Sequence, residues 1–120
     1  MGAAFKDLVV WQRAIELTAE IYRLTSSFPR TEQFGLTNQM RRAAVSIASN
    51  IAEGYGRSTR GEYILFLGHA RGSVCELQTQ LVIAGVLGFG KSSSGKAAEG
   101  LAFQVSRMLN ALMDKLKQKA

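Results

Sequence analysis

Leu36-Thr-Asn-Gln-Met40-Arg-Arg-Ala-Ala-Val45-Ser-Ile-Ala-Ser-Asn50-Ile-Ala-Glu53 is the stretch on which the fold turns. Wound at about 100° per residue, Leu36, Met40, Ala43, Ala44, Ile47 and Ile51 form one stripe with the 3-4 spacing of a buried helix face. Val45, Ala48 and Ala52 fall on nearly the opposite side, and only Arg42, Ser46, Ser49 and Glu53 make a clearly polar line. A helix that is apolar most of the way round needs burial on two sides. Gly54 and Gly56 supply its stop.

Upstream, residues 7–26 read as an ordinary amphipathic helix. Leu8, Trp11, Ile15, Thr18 and Tyr22 lie on one line, with Ala14, Leu17, Ile21 and Leu24 beside it; Gln12, Arg13, Glu16, Glu20 and Arg23 fill the wet arc. Asp7 is the expected N-cap, and Phe28-Pro29 ends the helix because the residue before proline is pushed out of the α region. Downstream, Thr59-Arg60-Gly61-Glu62 has the form of a capping box and starts a third helix. Its core line is Tyr63, Phe66, Leu67, Ala70, Val74, Leu77, Leu81 and Ala84, and the Gly88/Gly90 pair ends it near residue 87. The last helix, about 96–117, has its seam at Leu101, Val105, Met108, Leu112 and Leu116. No segment alternates with period 2, so strands are not expected.

Four helices, about 7–26, 36–53, 60–87 and 96–117, joined by short connections argue for an all-α, antiparallel up-down four-helix bundle forming one domain over residues 1–120. At 47% hydrophobic and 20% charged, the chain is too apolar for a disordered tail. Its longest uncharged apolar run, Leu81–Phe89, is far short of the ~20 residues that cross a bilayer. Lys6 and Asp7 interrupt the start before a signal-peptide core could form. The lone Cys75 excludes a disulfide framework and fits a reducing compartment, so a cytoplasmic location is expected, with no membrane partner.

The third helix is short of charge. Between Gly61 and Gly90 only Glu62, Arg71 and Glu76 are charged, and its second face carries Leu65, Gly68, Gly72, Thr79, Ile83 and Val86. Monomers rarely expose large contiguous apolar patches, so this surface and the second face of the preceding helix read as a subunit interface. Gly68 and Gly72 permit close helix approach, either across that interface or onto the alanines of the second helix within one subunit.

Chemistry-bearing motifs are few. Gly90-Lys-Ser-Ser-Ser-Gly95-Lys96 has P-loop spacing, but Ala97 stands where a Mg²⁺-binding hydroxyl is required and no strand precedes it. It reads as a flexible loop with a helix start at its end. His69, the only histidine, has no positioned acid or nucleophile and reads as a helix-surface or interface residue. Cys75 has no basic neighbour to lower its pKa and reads as a packed thiol. Asn50, Glu53 and Glu76 suggest either a bundle metal site or a hydrogen-bond network that sets helix register; the absence of any Glu-x-x-His favours the network. Catalytic residues, cofactors and metals are therefore none.

Fifteen Lys+Arg against nine Asp+Glu leave a formal charge of +6. Arg41, Arg42, Arg57 and Arg60 around the second connection, and Lys115, Lys117 and Lys119 at the C-terminus, are the basic clusters. They fit phosphate-backbone contacts, with Tyr55 available to stack on a base, or else a solvated positive rim.

The run Phe34-Gly-Leu-Thr-Asn-Gln-Met40-Arg-Arg-Ala-Ala-Val-Ser-Ile-Ala-Ser-Asn50-Ile-Ala-Glu-Gly54 resembles the hallmark of a bacterial family, the four-helix-bundle proteins first noticed as reading frames within intervening sequences of 23S rRNA genes. Leu8-Val-Val-Trp11-Gln12, Ile21-Tyr22, Phe28-Pro29, Gly56-Arg57, Phe66-Leu67, Gly72-Ser73, Glu76-Leu77 and Gln80-Leu81 agree with it. The resemblance covers nearly the whole chain and weakens after about Gly90. It implies a ring-shaped homo-oligomer, a homopentamer, with cytoplasmic location and no catalytic activity. The expected function is thus a non-enzymatic oligomeric bundle that binds RNA or DNA backbone through Arg41, Arg42, Arg57 and Arg60. The alternative is a protein-interaction scaffold for a polymerase or ribosome-associated partner.

Overall fold

Thr59 fixes where the longest helix begins. Its extended backbone places Oγ1 3.1 Å from the Glu62 N–H, which it accepts, and it donates to Glu62 Oε1 at 3.2 Å. Such a cap contributes about 1 kcal/mol. The computed structural model describes residues 4–119, and among them the elements are all helical: α1 Val9–Thr25, α2 Leu36–Tyr55, α3 Arg60–Leu87 and α4 Ser92–Gln118. Single 3₁₀ turns at Phe5–Asp7 and Arg30–Glu32 precede α1 and α2. α1 packs on α2 and α4, and α3 packs on the same two helices, so α1 and α3 sit diagonally opposite. The packing is that of a four-helix bundle, 46 Å long and about 20 Å across. None of the described helices is long and apolar enough to cross a membrane.

The core is built from Leu17 and Ile21 of α1, Met40, Ile47 and Ile51 of α2, Leu67, Val74 and Leu77 of α3, and Val105 and Leu109 of α4, all fully buried. Each contributes roughly 1.5–3 kcal/mol on burial. The stripes expected for α2 and for most of α3 are the ones buried, and of the two lines named for α1 the second is the inner one, whereas α4 is rotated by one line. In α1, Val10, Ala14, Leu17, Ile21, Leu24 and Thr25 are buried, whereas Ile15 and Tyr22 stay exposed. In α4, Ala98, Ala102, Val105, Leu109 and Met113 are buried, and Leu101, Met108, Leu112 and Leu116 only flank them. Two alanines on the inner line let α4 approach closely, and the larger leucines close the sides.

Three local expectations are corrected. Asp7 does not cap α1: it lies in the preceding 3₁₀ turn, where its Oδ2 accepts the Ala4 N–H at 3.1 Å, and Leu8 occupies the cap position. α1 ends at Thr25 with Ser26 as its cap, where its end was expected, and Phe28 folds back into the core against Phe89. Gly54 is not a stop, because α2 continues through it to Tyr55. It is buried where α3 crosses, and a Cβ there would meet Phe66 and Tyr63. The last helix begins at Ser92, so most of the P-loop-like stretch is helical and the α3–α4 connection is short. That connection relies on Gly88 and Gly90, both at positive φ; a Cβ on Gly90 would fall 2.5 Å from Leu24 Cδ1.

The second face of α2 is partly covered, since Ala48 is buried, whereas Val45 remains 43% exposed. On α3, Leu65, Val82, Ile83 and Val86 point outward, Val86 being 80% exposed. Gly72 has open space where a side chain would be, and Gly68 meets only the Met113 methyl at 3.9 Å, so neither glycine packs on the alanines of α2.

Candidate nucleic-acid interface

The α2–α3 connection is a sharp reversal of Gly56, Arg57, Ser58 and Thr59 that leaves Arg57 and Arg60 exposed. Arg57 Nη2 lies 3.3 Å from Glu53 Oε2, and its guanidinium carbon stands 4.5 Å from the centre of the Phe66 ring. An exposed ion pair and an exposed cation–π contact each contribute at most about 1 kcal/mol, so this arginine is oriented yet available to a stronger anion. Arg60, in the first turn of α3, takes part in none of the ion pairs among the described residues.

Tyr55, expected between the arginines as a stacking platform, is half-buried with its ring edge-on to Tyr63, centroids 5.9 Å apart. Burial, and secondarily charge on Tyr55, push the Tyr63 phenol above its ordinary value of 10.0.

Arg41 and Arg42 are not part of this cluster. Arg42 lies thirteen helical steps before Tyr55 in α2, about 20 Å at 1.5 Å per residue. Arg41 reaches back to α1: its Nε donates to Thr25 Oγ1 at 2.8 Å and its guanidinium lies 4.4 Å over the Tyr22 ring. Arg42 is exposed beside Glu76 and Gln39 in a shallow groove between α2 and α3. The structure therefore resolves four expected arginines into two pairs at different levels of the bundle.

In exchange, the topology brings Lys115, Lys117 and Lys119 to the Arg57 end. α3 and α4 run antiparallel, with Arg71 Nη1 donating to Asn110 Oδ1 at 3.1 Å and Gly68 opposite Met113. Continuing that register places the last turn of α4 beside the first turn of α3. Sequence reasoning named both basic clusters without joining them, although the antiparallel up-down topology it expected already places the start of the third helix and the end of the fourth at one end.

Asn50, Glu53 and Glu76 do not converge. Asn50 Nδ2 donates to Ser46 O at 2.8 Å and to Ser46 Oγ at 3.0 Å, and Ser46 Oγ shares a 2.9 Å hydrogen bond with Ser73 Oγ of α3. This chain ties α2 to α3 in one register, while Glu53 pairs with Arg57 and Glu76 lies a further three turns away. Among the described residues no three His, Cys, Asp or Glu side chains gather as metal ligands would. His69 is exposed with its ring edge-on to Phe66, and Cys75 is exposed rather than packed, because it falls on the outer side of α3.

Four antiparallel helices with Arg57, Arg60 and the C-terminal lysines gathered at one end define an all-α protein of the four-helix-bundle class. The profile of the 23S rRNA-intervening sequence protein family matches residues 6–111, and the chain belongs to that family. Its fold is similar to the crystal structure of a protein of unknown function of the S23 ribosomal protein family from Bacteroides thetaiotaomicron VPI-5482. The TM-score is 0.78 at 18% identity over 88% of this chain and 96% of that one. No curated protein matches the chain.

Proposed function

We propose that this chain is a non-enzymatic, ring-forming homo-oligomer, a homopentamer, that binds RNA or DNA backbone through the end of the bundle carrying Arg57, Arg60, Lys115, Lys117 and Lys119. The observation that carries this reading is the antiparallel α3–α4 register, which puts two basic segments far apart in sequence at one end. The exposed apolar line of α3 through Leu65 and Val86 supports a subunit contact. In a closed ring every protomer presents the same end to the same side, so the positive fields add toward a polyanion. Contacts of this kind are to phosphates and carry little sequence preference. The lone cysteine is in keeping with the bacterial cytoplasm.

Light scattering after size exclusion, at low and high salt and with nucleic-acid absorbance recorded, tests assembly and binding together. A pentamer-sized particle whose nucleic acid is stripped by salt is expected. Affinity for a single-stranded RNA should fall steeply between about 50 and 200 mM salt, with a slope of about 0.7 per phosphate contact. Replacing Arg57, Arg60, Lys115 and Lys117 by Ala should flatten that slope, and replacing Arg41 and Arg42 should change it little. Undetectable affinity at low salt, or a slope unchanged in the quadruple variant, overturns the reading in favour of a scaffold for a polymerase or ribosome-associated protein partner.

A further inference from the structure

The outer face of the α1–α2 pair carries two adjoining hollows that the polyanion reading does not use. The first, about 260 Å³, is lined by Trp11 and Ile15 of α1 and by Val45, Ala48 and Ala52 of α2, with Thr18 and Ser49 at its edge. The Thr18 hydroxyl is committed inward, donating to Ala14 O at 2.8 Å, so the floor offers almost nothing polar. At Val45 this groove runs into the second hollow, about 520 Å³, whose walls include Tyr22, Asn38, Arg41 and Arg42. Arg41 is held in place by Thr25 and the Tyr22 ring, and neither it nor Arg42 belongs to any ion pair among the described residues.

An apolar trough two helical turns long, flanked at one end by two guanidinium groups that form no ion pair among the described residues, is complementary to one kind of surface. We propose that the α1–α2 face docks an acidic amphipathic helix of a partner protein. Apolar side chains at i, i+3 or i+4, and i+7 of that helix would fill the trough, and carboxylates about one turn farther along would pair with Arg41 and Arg42. Carboxylates match the planar donor fork of arginine in a bidentate manner.

Charge complementarity selects this occupant over the others. A sugar–phosphate backbone would satisfy the arginines but leave the trough against water. A second copy of this chain would fill the trough but bring few free carboxylates to the arginines. Its apolar outer helix, α3, carries the single carboxylate Glu76 past its first turn. The carboxylates of α1, Glu16 and Glu20, already pair with Arg13 and Arg23. The exposed acids of α4, Glu99 and Asp114, are interleaved with Arg107 and Lys115. The residues involved differ from Arg57, Arg60, Lys115 and Lys117, so this inference stands or falls separately from the polyanion reading.

Trp11 is the chain's only tryptophan and lines the trough, so its fluorescence reports occupancy directly. The probe is a synthetic helical peptide with three leucines at i, i+4 and i+7 followed one turn later by two glutamates, compared with the same peptide bearing lysines. Titration of the full chain with the glutamate peptide is expected to shift Trp11 emission to the blue and to saturate. The lysine peptide should bind at least tenfold more weakly. Val45→Glu, at an exposed helical position, should abolish the response with the helical circular dichroism intact. Arg41→Glu with Arg42→Glu should reverse the preference between the two peptides. Four results would overturn the proposal: no Trp11 response, an equal response to both peptides, a Trp11 shift on dilution without peptide that tracks a fall in particle mass, or a shift produced by single-stranded RNA and not by the glutamate peptide. The third would assign the trough to a second copy of the chain, and the fourth to nucleic acid.

Discussion

Gly54 of α2 lies directly against Phe66 of α3: a Cβ placed on the glycine would stand 2.7 Å from Phe66 Cβ and 3.2 Å from Tyr63 Cδ1. Carbon atoms pack at about 3.5–4.0 Å, so the side chain that is missing is what lets the two helices meet. The same Phe66 ring carries the Arg57 guanidinium, and helix contact and basic end are therefore mechanically linked.

Gly54→Ala should push α3 away from α2 and destabilise the chain by about 1–3 kcal/mol, the usual effect of overpacking. A thermal melt followed by circular dichroism measures it as a midpoint lowered by several degrees. An unchanged midpoint would mean that α3 yields freely and that the contact does not set helix spacing.

Gly72 predicts the opposite. Nothing lies within 4 Å of a Cβ built there, and glycine inside a helix is about 1 kcal/mol worse than alanine. Gly72→Ala should therefore stabilise the isolated protomer by about that amount. Because Gly72 lies on the same outer line as Leu65 and Val86, the new methyl should also weaken the proposed ring, giving a smaller particle by light scattering. Full assembly in the variant would remove Gly72 as a point of subunit approach.

Tyr63 gives the chain a defined response to alkali. Burial and, to a lesser extent, Tyr55 raise its pKa in the folded state, whereas the unfolded phenol ionises near 10. Below pH 10 both states keep the proton, and stability is independent of this group. As pH rises through 10 the unfolded state ionises first, so the stability that the neutral phenol provides is lost as pH climbs toward the folded value. Thermal midpoints at about pH 9 and about pH 11 should differ more in the native chain than in Tyr63→Phe. Equal differences would mean that Tyr63 titrates like a free tyrosine.

The helical architecture was legible because periodicity and punctuation agreed: Thr59 and Glu62 start α3 where expected, and Gly88 ends it in the left-handed conformation. What periodicity could not decide was which of two neighbouring apolar lines faces inward. In α1 and α4 that choice depends on how closely the helices approach, and the small side chains of Ala98 and Ala102 made the difference. At the candidate site, residue types were visible but company was not. Arg41 looked like a neighbour of Arg57 along the chain, yet its partners are Thr25 and Tyr22 on another helix. Gln80 shows the same limit. Placed on α3 among apolar residues, it is buried, with Oε1 accepting no hydrogen bond among the described residues. A hydrophobic pattern alone has no way to announce such a position.

The scarcity of charge along α3 also matters before the bundle exists. A ribosome adds about 5–20 residues per second, so α3 emerges roughly 1–5 s ahead of the 27 residues of α4 that complete its cover. During that interval α2 can shield one flank of the nascent helix, but Leu67, Val74 and Leu77 still lack the wall that α4 supplies, while Val82 and Val86 lack any. The unfinished chain is then at its stickiest, and several chains growing on one message would hold such helices side by side. The outward apolar line on which the proposed ring rests is thus a hazard to the newborn polypeptide, and a chaperone that grips exposed aliphatic segments would find its target between Leu65 and Leu87.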